Sequence, residues 1–271
     1  MAIDKLKIAR SFSRAAVNYD NAAHLQREIG ETLLAKLQAQ FTSSELGSID
    51  ALVDLGCGTG HFAHYLQSLY PQAAYVGTDI AKGMLDYAND HYSSLYWLCA
   101  DAEQLPFGND TIDCLFSNLT LQWCSNLAAL FDELMRILKP GGQICFSTLG
   151  PATLSELREA WRQVDYLVHV NDFYSNSYWI TAIEDAGLKV HTHSTELKVL
   201  RYDTVSQLMH ELKTLGAHNM NTSQRQALGG RRQIQLFSQA YESFRTQGKL
   251  PVTYEVYYFL LYKPLIAVDA I

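Results

Sequence analysis

The alternation of hydrophobic and polar positions changes at about residue 50 of the 271-residue chain. From there, short runs rich in β-branched and aromatic residues alternate with amphipathic stretches, which is typical of a parallel sheet with helices on both faces. Helices are predicted at His61–Leu69 and Leu127–Leu138, and Pro140 with its two following glycines ends the second one. Five strands are predicted around these helices, at Ala51–Leu55, Ala74–Ile80, Leu95–Ala100, Ile112–Asn118 and Gln143–Thr148.

Helical segments dominate the second half of the chain. The segment Val252–Tyr262 is apolar or aromatic on both alternating faces for most of its length, which predicts a strand inside the sheet. A terminal strand inserted beside an earlier one implies antiparallel pairing. Residues 1–50, with apolar spacing over Leu25–Leu37, are predicted to form a helical flap over the sheet. The remaining predictions are a β-like run at 188–200 and helices at 155–168, 175–186, 204–215 and 224–245.

Together these elements predict an α/β fold. We expect a Rossmann-like, seven-stranded, mostly parallel sheet with an antiparallel last strand and helical insertions. Residues 1–271 are expected to form a single domain. Within it we distinguish the helical flap (1–50), a ligand-binding core (51–148) and two helical insertions on the substrate side (149–175 and 201–249).

Composition narrows the class of protein. The chain is 48% hydrophobic and 18% charged, as expected of a folded protein rather than a disordered one. Its net charge of -7 argues against a main role in binding nucleic acid. Charges near the N-terminus and the lack of a long apolar run argue against an export signal or a membrane partner, so we expect a cytoplasmic location. The five cysteines lack C-x-x-C spacing, which indicates reduced thiols and no metal site.

A glycine-rich segment follows the first predicted strand. Its sequence is Val53-Asp-Leu-Gly-Cys-Gly-Thr-Gly60. A strand that runs into glycines and then into a helix places backbone N–H groups at the carboxyl edge of the sheet, where ligands bind in such folds. Glycine is needed there because a side chain would prevent the close approach of a ligand.

Two nucleotide cofactors compete for this loop. The dinucleotide fingerprint G-x-G-x-x-G requires a glycine where the chain has His61, which counts against NAD. The spacing G-x-G-x-G, with Asp54 two residues ahead of it, looks like the first motif of class I S-adenosylmethionine-dependent methyltransferases.

Polar residues at the ends of successive strands support S-adenosyl-L-methionine as the cofactor. Asp79 ends the second strand, where a carboxylate can accept both ribose hydroxyls, and Asp101 follows the third, where it can meet the adenine amino group. One such Asp is also typical of a turn or helix cap, but the ordered succession favours a cofactor site. The predicted cofactor-binding residues are Tyr19, Asp54, Gly56, Cys57, Gly58, Gly60, Asp79, Ile80, Met84, Asp101, Ala102, Asn118 and Leu119.

The sequence offers no acid/base pair beside these motifs. His61 and His64 lie just after the glycine loop and are interpreted as surface or packing residues. A methyl sulfonium is a strong electrophile, so the protein mainly has to align donor and acceptor and to exclude water. A carboxylate acceptor is already ionised and needs no base. We therefore predict no obligatory catalytic residue.

A closer resemblance covers nearly the whole chain. It is carried by Phe12-Ser-Arg-Ala-Ala16, Tyr19-Asp20, Leu25-Gln-Arg27, Ser117–Cys124, Glu156–Trp161, His169–Phe173, Leu212–Ala217 and Leu250–Tyr254. In these stretches the chain is similar to the malonyl-acyl-carrier-protein O-methyltransferases of biotin synthesis. It departs mildly from the family pattern in the polar loop Asn219–Ala227. It implies methylation of the free carboxylate of a malonyl thioester carried by acyl carrier protein or coenzyme A.

Two other functions stay open at this point. One is a methyltransferase for another small acid or a quinone, and the other is a scaffold that binds the donor without turnover. For the malonyl substrate, an aromatic lid and charge-assisted donors to the carboxylate are expected. The substrate-side candidates are Tyr19, Trp123, His169, Asn171, Arg14, Arg201 and Lys213.

Acyl carrier protein is the partner that this resemblance implies. Carrier proteins are acidic, and residues 198–232 have a local excess of four positive charges in a net acidic chain. We predict that this segment is the docking surface, with an attraction that weakens as salt rises. Its six basic residues are Lys198, Arg201, Lys213, Arg225, Arg231 and Arg232.

Overall fold

Seven strands form one sheet in the part of the chain that the computed structural model describes, residues 4–40, 49–215 and 230–265. In chain order they are β1 (Ala51–Leu55), β2 (Ala74–Asp79), β3 (Tyr96–Cys99), β4 (Ile112–Asn118), β5 (Leu138–Leu149), β6 (Lys189–Tyr202) and β7 (Leu250–Tyr262). Their spatial order is β3-β2-β1-β4-β5-β7-β6. Neighbours are parallel except that β7 is antiparallel to both β5 and β6. The predicted sheet is confirmed.

Helices precede, connect and follow these strands. The described residues contain α1 (Lys5–Ala22), α2 (His24–Gln40), α3 (Ala63–Leu69), α4 (Lys82–His91), α5 (Leu127–Ile137), α6 (Ser155–Arg162), α7 (Asn176–Asp185), α8 (Val205–Thr214) and α9 (Arg231–Glu242). A 3-10 helix, Leu121–Trp123, follows β4. The helices α8 and α9 lie between β6 and β7, as predicted for an insertion before the last strand.

The sheet separates two apolar layers. Alternate residues of β7 explain why its second half is apolar on both faces: Tyr258 and Leu260 join the layer under α2, α3 and α6, whereas Phe259 and Leu261 join the layer under α5 and α7. A strand buried on both faces has no polar side to present. The interior position predicted for this strand is therefore confirmed.

The first two helices have different roles. Ile29 and Leu33 of α2 are buried in the layer above the sheet, so α2 is a core helix. By contrast, α1 packs against α4, where Ala16 meets Met84 in a small separate cluster. A side chain at Gly83 would collide with the α1 backbone, so this glycine permits the close approach of the two helices. As a result α1 lies beside the carboxyl edge of β2.

Some predicted boundaries are wrong. The helix predicted over 155–168 ends at Arg162, because the apolar residues beyond it, such as Tyr166 and Leu167, are exposed and bury no face. The helix predicted from His61 begins at Ala63, after a turn closed by the glycine loop. The strand β5 begins at Leu138, which pairs with Ile112, rather than at Gln143. Residues 224–229 of the predicted last helix lie outside the described residues.

Candidate cofactor and substrate site

The glycine loop leaves β1 at the carboxyl edge of the sheet. Gly56, Gly58 and Gly60 all have positive φ, between +56° and +81°, which glycine adopts without strain. A side chain at Gly56 would overlap Thr120, and one at Gly60 would lie 2.7 Å from the ring of Trp97. A side chain at Gly58 would meet no protein atom within 4 Å. The loop therefore packs on protein at both ends and opens to a ligand at its middle.

Asp79 joins this loop to the start of α4. Its Oδ2 accepts a hydrogen bond from the backbone N–H of Gly58 (3.0 Å), and its Oδ1 accepts one from Ala81 (2.7 Å). Burial raises the pKa of Asp79 to about 6, although the backbone donors oppose the shift. Each carboxylate oxygen has a further lone pair for a hydroxyl group of a ligand.

Asp54 lies deeper than predicted. It is buried near the end of β1, where its Oδ2 accepts a hydrogen bond from the hydroxyl of Tyr75 at 2.9 Å. Burial raises its pKa to about 7, and the nearby charge of Asp79 adds to the shift while Tyr75 opposes it. The cavity between α1 and the strand ends is lined by Leu55 and Gly56, and Asp54 lies behind them. This position gives Asp54 a supporting role under the loop.

Asp101 and Ala102 line the same cavity after β3. Asp101 is already paired within the protein, because the ammonium of Lys5 on α1 contacts both of its oxygens, at 2.9 and 2.7 Å, although a carboxylate has lone pairs for a further donor. Lys5 also pairs with Glu103 at 2.7 Å. Burial lowers the pKa of Lys5, but the hydrogen bonds to the two carboxylates outweigh it and raise the pKa overall.

Asn118 and Leu119 end β4 opposite the glycine loop. The Nδ2 of Asn118 donates to the backbone oxygen of Gln26 at 2.8 Å, and its Oδ1 accepts from the hydroxyl of Ser147 at 2.7 Å. Leu119 has φ +50°, and its N–H donates to the Ser147 hydroxyl at 3.0 Å. Both side-chain ends of Asn118 are thus held by protein, and the start of α2 is fixed beside β4.

Three aromatic rings lie between α1 and the strand ends. The rings of Tyr19 and Trp123, both predicted site residues, contact Phe12 of α1 edge to face at 6.3 and 5.6 Å. Trp123 also lines the cavity, together with Ile80. Burial, reinforced by the charges of Asp79 and Asp20, raises the pKa of Tyr19, so its hydroxyl stays protonated. These three rings contact one another at the place where the sequence predicts an aromatic lid, and Phe12 is an additional ring that was not predicted.

Two predicted cofactor residues point away from the cavity. Met84 is buried in the cluster between α1 and α4. The thiol of Cys57 lies against the strand below the loop, where a side chain at Gly77 would meet its Sγ at 3.1 Å. Burial raises the pKa of this thiol, with contributions from Asp54 and Asp79. Both residues support the site from behind.

The opposite face of α1 lines a groove against α8. Lys7, Arg10 and Arg14 follow one another at spacings of three and four residues, so they share a face, and Lys213 lies across from them. The groove has a volume of about 650 Å³ and also contains His210 and Asp4. The structure thus brings the predicted residues Arg14 and Lys213 together, but on the other side of α1 from the aromatic rings.

The other substrate-side candidates are more dispersed. The ring of His169 stacks on Trp161 at 3.7 Å, and its Nε2 lies 2.8 Å from a carboxylate oxygen of Asp165. The backbone oxygen of Asn171 accepts from Arg158. Arg201 is exposed on the edge strand β6 and donates to the hydroxyl of Thr246. The structure does not bring these three residues together with Arg14 and Lys213.

The predicted docking segment is also less uniform than its sequence. Lys198 was wrongly included, because its ammonium lies between Glu28 (2.7 Å) and Glu196 (3.0 Å) and its side chain is only 10% exposed. Arg231 and Arg232 are exposed at the start of α9. Arg225 lies outside the described residues.

Several contacts at the site were missed by sequence reasoning. The Thr59 hydroxyl of the glycine loop donates to Asp20 of α1 at 2.8 Å, and the guanidinium of Arg27 on α2 lies 3.5 Å from the same oxygen. Phe12, Asp20 and Arg27 belong to the stretches that carry the family resemblance, which was the available signal. Lys5 lies outside those stretches, so nothing in the sequence indicated its contact with Asp101.

Two features are absent from the described residues. No group of three or more His, Cys, Asp or Glu side chains in residues 4–40, 49–215 and 230–265 is placed to hold a metal ion. None of the helices in these ranges is long and apolar enough to span a membrane.

Known proteins resemble the chain in sequence and in fold. A family profile described as "Methyltransferase domain" matches residues 53–146. The "Malonyl-[acyl-carrier protein] O-methyltransferase" of Methylovorus sp. (strain MP688) is 41% identical over 271 residues, covering 97% of this chain and 90% of that protein. The "Biotin biosynthesis bifunctional protein BioHC" of Cellvibrio japonicus (strain Ueda107) is 45% identical over 264 residues, or 97% of this chain. The chain spans about half, 51%, of that protein's length.

A solved structure has the same architecture. The YcgJ protein from Bacillus subtilis superposes with a TM-score of 0.60 at 16% sequence identity, covering 86% of this chain and 98% of that one. At this identity the likeness concerns the fold alone. It agrees with the mixed seven-stranded sheet and its antiparallel β7.

Proposed function

Because the chain belongs to the family of malonyl-[acyl-carrier protein] O-methyltransferases, which use S-adenosyl-L-methionine, we propose that it methylates the free carboxylate of a malonyl thioester. The product is the malonyl methyl ester, and the thioester is carried by acyl carrier protein. The observation that carries this proposal is the cavity in which the glycine loop, the Asp79 carboxylate and an aromatic lid meet at one edge of the sheet.

The described residues fit the donor. Open space above Gly58 admits a ligand to the backbone of the loop, and Asp79 beside it has acceptor lone pairs for the ribose hydroxyls. Asp101 and Ala102 after β3 are placed for the adenine. When bound, the donor supplies a methyl group on a positively charged sulfur, which is a good leaving group.

The protein's own part in the reaction is alignment. A carboxylate oxygen of the substrate would take the methyl group, and the electron pair of the broken C–S bond would stay on sulfur. No proton has to be removed, which suits a cavity whose titratable groups are the carboxylates Asp79 and Asp101, the lysine that pairs with Asp101 and the buried thiol of Cys124, whose pKa burial raises. Phe12, Tyr19 and Trp123 would exclude water and so keep donor and acceptor in contact.

The groove between α1 and α8 suits the carrier protein rather than the malonyl carboxylate. It lies on the face of α1 opposite to Ile8, which lines the cofactor cavity. Four basic side chains against Asp4 complement an acidic protein surface. We therefore propose the groove, with Arg231 and Arg232 of α9, as the docking surface in place of the full segment 198–232.

A panel of acceptors tests the reaction. Isotopically labelled donor is incubated with the malonyl thioesters of acyl carrier protein and of coenzyme A, and with free small acids and quinones. We expect label in a base-labile methyl ester of the malonyl thioesters. Label in other acceptors only would overturn the proposed substrate, and tight donor binding without any transfer would favour a scaffold.

Charge reversal tests the docking surface. We expect the double variant Arg14→Glu, Lys213→Glu to raise KM for the carrier-bound substrate at least tenfold at low salt, with little change for the coenzyme A thioester. Arg231→Glu with Arg232→Glu provides the same test for α9, and Lys82→Glu on exposed α4 is the matched control. Equal increases in KM for both thioesters would contradict the proposed docking surface.

A further inference from the structure

The start of α2 is tied to both sides of the gap between β1 and β4. On one side Asn118, at the end of β4, donates to the backbone oxygen of Gln26 at 2.8 Å. On the other side Thr59 of the glycine loop donates to Asp20, and Arg27 lies 3.5 Å from that carboxylate. The side chains of the first turn of α2 are therefore held beside the loop.

Two polar atoms of this turn are buried and have no hydrogen-bond partner among the described residues. They are the amide oxygen Oε1 of Gln26, an acceptor, and the Nε of Arg27, a donor. An unsatisfied buried polar atom destabilises the fold, more so when it belongs to a charged group, so such atoms normally meet a ligand, a water or another side chain. Arg27 directs Nη2 toward Asp20 at 3.5 Å, and its Nε–H stays available. The turn thus offers a positive donor and a neutral acceptor next to each other in the sequence.

This pair matches one chemical group. An α-amino carboxylate has an anion that accepts from a guanidinium and an ammonium that donates to an amide oxygen. The donor carries such a group at its methionine end. Its adenosine end is assigned to Asp79 and Asp101, on the β2 and β3 side of the loop. The methionine end then extends toward the β1–β4 gap, where α2 begins.

We propose that Arg27 binds the carboxylate of the methionine moiety and that Gln26 accepts a hydrogen bond from its ammonium. The neighbouring groups are compatible with this assignment. Burial and the positive charge of Arg27 lower the pKa of His61, so His61 is neutral and adds no competing charge. The contact of Arg27 with Asp20 is long, at 3.5 Å, and the Nε–H of Arg27 can still donate to a second anion. Asn118, predicted for this role, is instead committed to Gln26 and Ser147.

The inference rests on the donor and not on the malonyl substrate, so binding without acceptor tests it. Calorimetry compares three ligands: S-adenosylhomocysteine, decarboxylated S-adenosylmethionine, which keeps the ammonium and the methyl sulfonium but lacks the carboxylate, and 5′-methylthioadenosine, which lacks the whole amino-acid end. We expect Arg27→Gln to weaken S-adenosylhomocysteine at least tenfold and to change the other two less than twofold. Gln26→Met is expected to weaken both ligands that keep the ammonium and to spare 5′-methylthioadenosine.

Arg162→Gln, on the exposed end of α6, is the matched control and is expected to bind all three ligands normally. Thermal unfolding without ligand shows whether Arg27→Gln and Gln26→Met fold. If one of them does not, the binding pattern of the other tests the inference. Equal losses for all three ligands, or no loss for S-adenosylhomocysteine, would overturn the inference. If the unchanged protein binds none of the three ligands, both this inference and the proposed methyl donor are wrong. If it binds the donor but does not methylate malonyl thioesters, only the proposed substrate is wrong and this inference still holds.

Discussion

The Nζ of Lys5 lies 2.7 Å from Oδ2 of Asp101, although the two residues are 96 positions apart in the chain. This ion pair fastens the first turn of α1 to the loop after β3. Ile8, one turn further along α1, lines the same cavity. The pair therefore closes the end of the cavity where we propose that the adenine binds.

Removing the Lys5–Asp101 ion pair should increase the rate at which the cofactor dissociates. We expect Lys5→Met to increase the dissociation rate of S-adenosylhomocysteine about fivefold, since a partly exposed ion pair is worth about 1 kcal/mol. Stopped-flow fluorescence with a competing ligand measures the rate. Lys82→Met, which removes an exposed pair on α4, should leave it unchanged. An unchanged rate in Lys5→Met would mean that α1 does not control release.

The glycine loop allows a matched pair of substitutions. Gly56→Ala and Gly58→Ala both place a side chain at positive φ, which costs roughly 1–2 kcal/mol. Only the first also overlaps Thr120, so we expect it to lower the free energy of unfolding by roughly 1–3 kcal/mol more than the second. Urea unfolding without ligand measures both. Equal stability of the two variants would contradict the packing of the loop described above.

Asp79 should matter for any ligand that contains the ribose. We expect Asp79→Asn to weaken binding by roughly 1.5–3 kcal/mol, because it removes a charged acceptor and disturbs the bond to Gly58. The loss should be the same for S-adenosylhomocysteine and 5′-methylthioadenosine, unlike that of Arg27→Gln. Calorimetry measures both affinities. A loss restricted to S-adenosylhomocysteine would place Asp79 at the wrong end of the ligand.

The raised pKa of Asp54 predicts a pH dependence of stability. Its pKa is about 7 in the folded protein against 3.8 ordinarily, so folding takes up a proton between about pH 4 and pH 7. The stability this group contributes is present below pH 4 and is lost as pH rises through 7. The half-buried His61, whose pKa is lowered, acts in the opposite direction.

Asp54→Asn isolates this effect. We expect the free energy of unfolding of the variant, relative to the unchanged protein, to rise between pH 5 and pH 8, because the amide does not ionise. Urea unfolding without ligand at several pH values measures the difference. A difference independent of pH would mean that Asp54 keeps an ordinary pKa in the fold.

The ends of the strands were predictable because they depend on local signals. Alternation and turn residues placed the ends of β2 and β4 within a residue, and the glycine spacing placed the loop. Parallel topology then brought Asp79 and Asp101 to one edge without further information.

The contacts from α1 and α2 were not predictable in the same way. Lys5 with Asp101, and Thr59 with Asp20, join distant segments through single side chains, and no periodicity records which partner a charged residue selects. The assignment of Lys198 to the docking surface was wrong for the same reason, because its ammonium pairs with Glu28, which lies 170 positions away in the chain. A charge count within one segment omits the partners that the fold supplies.

The position of β7 has a consequence for how the molecule is made. Among the seven described strands it is the last to leave the ribosome, yet it lies between β5 and β6. Before it is made, β5 has an unpaired edge and β6 lacks the one described strand with which it pairs, so the nascent chain exposes strand edges that can pair with other chains. Synthesis must therefore proceed beyond β7 before these edges are covered.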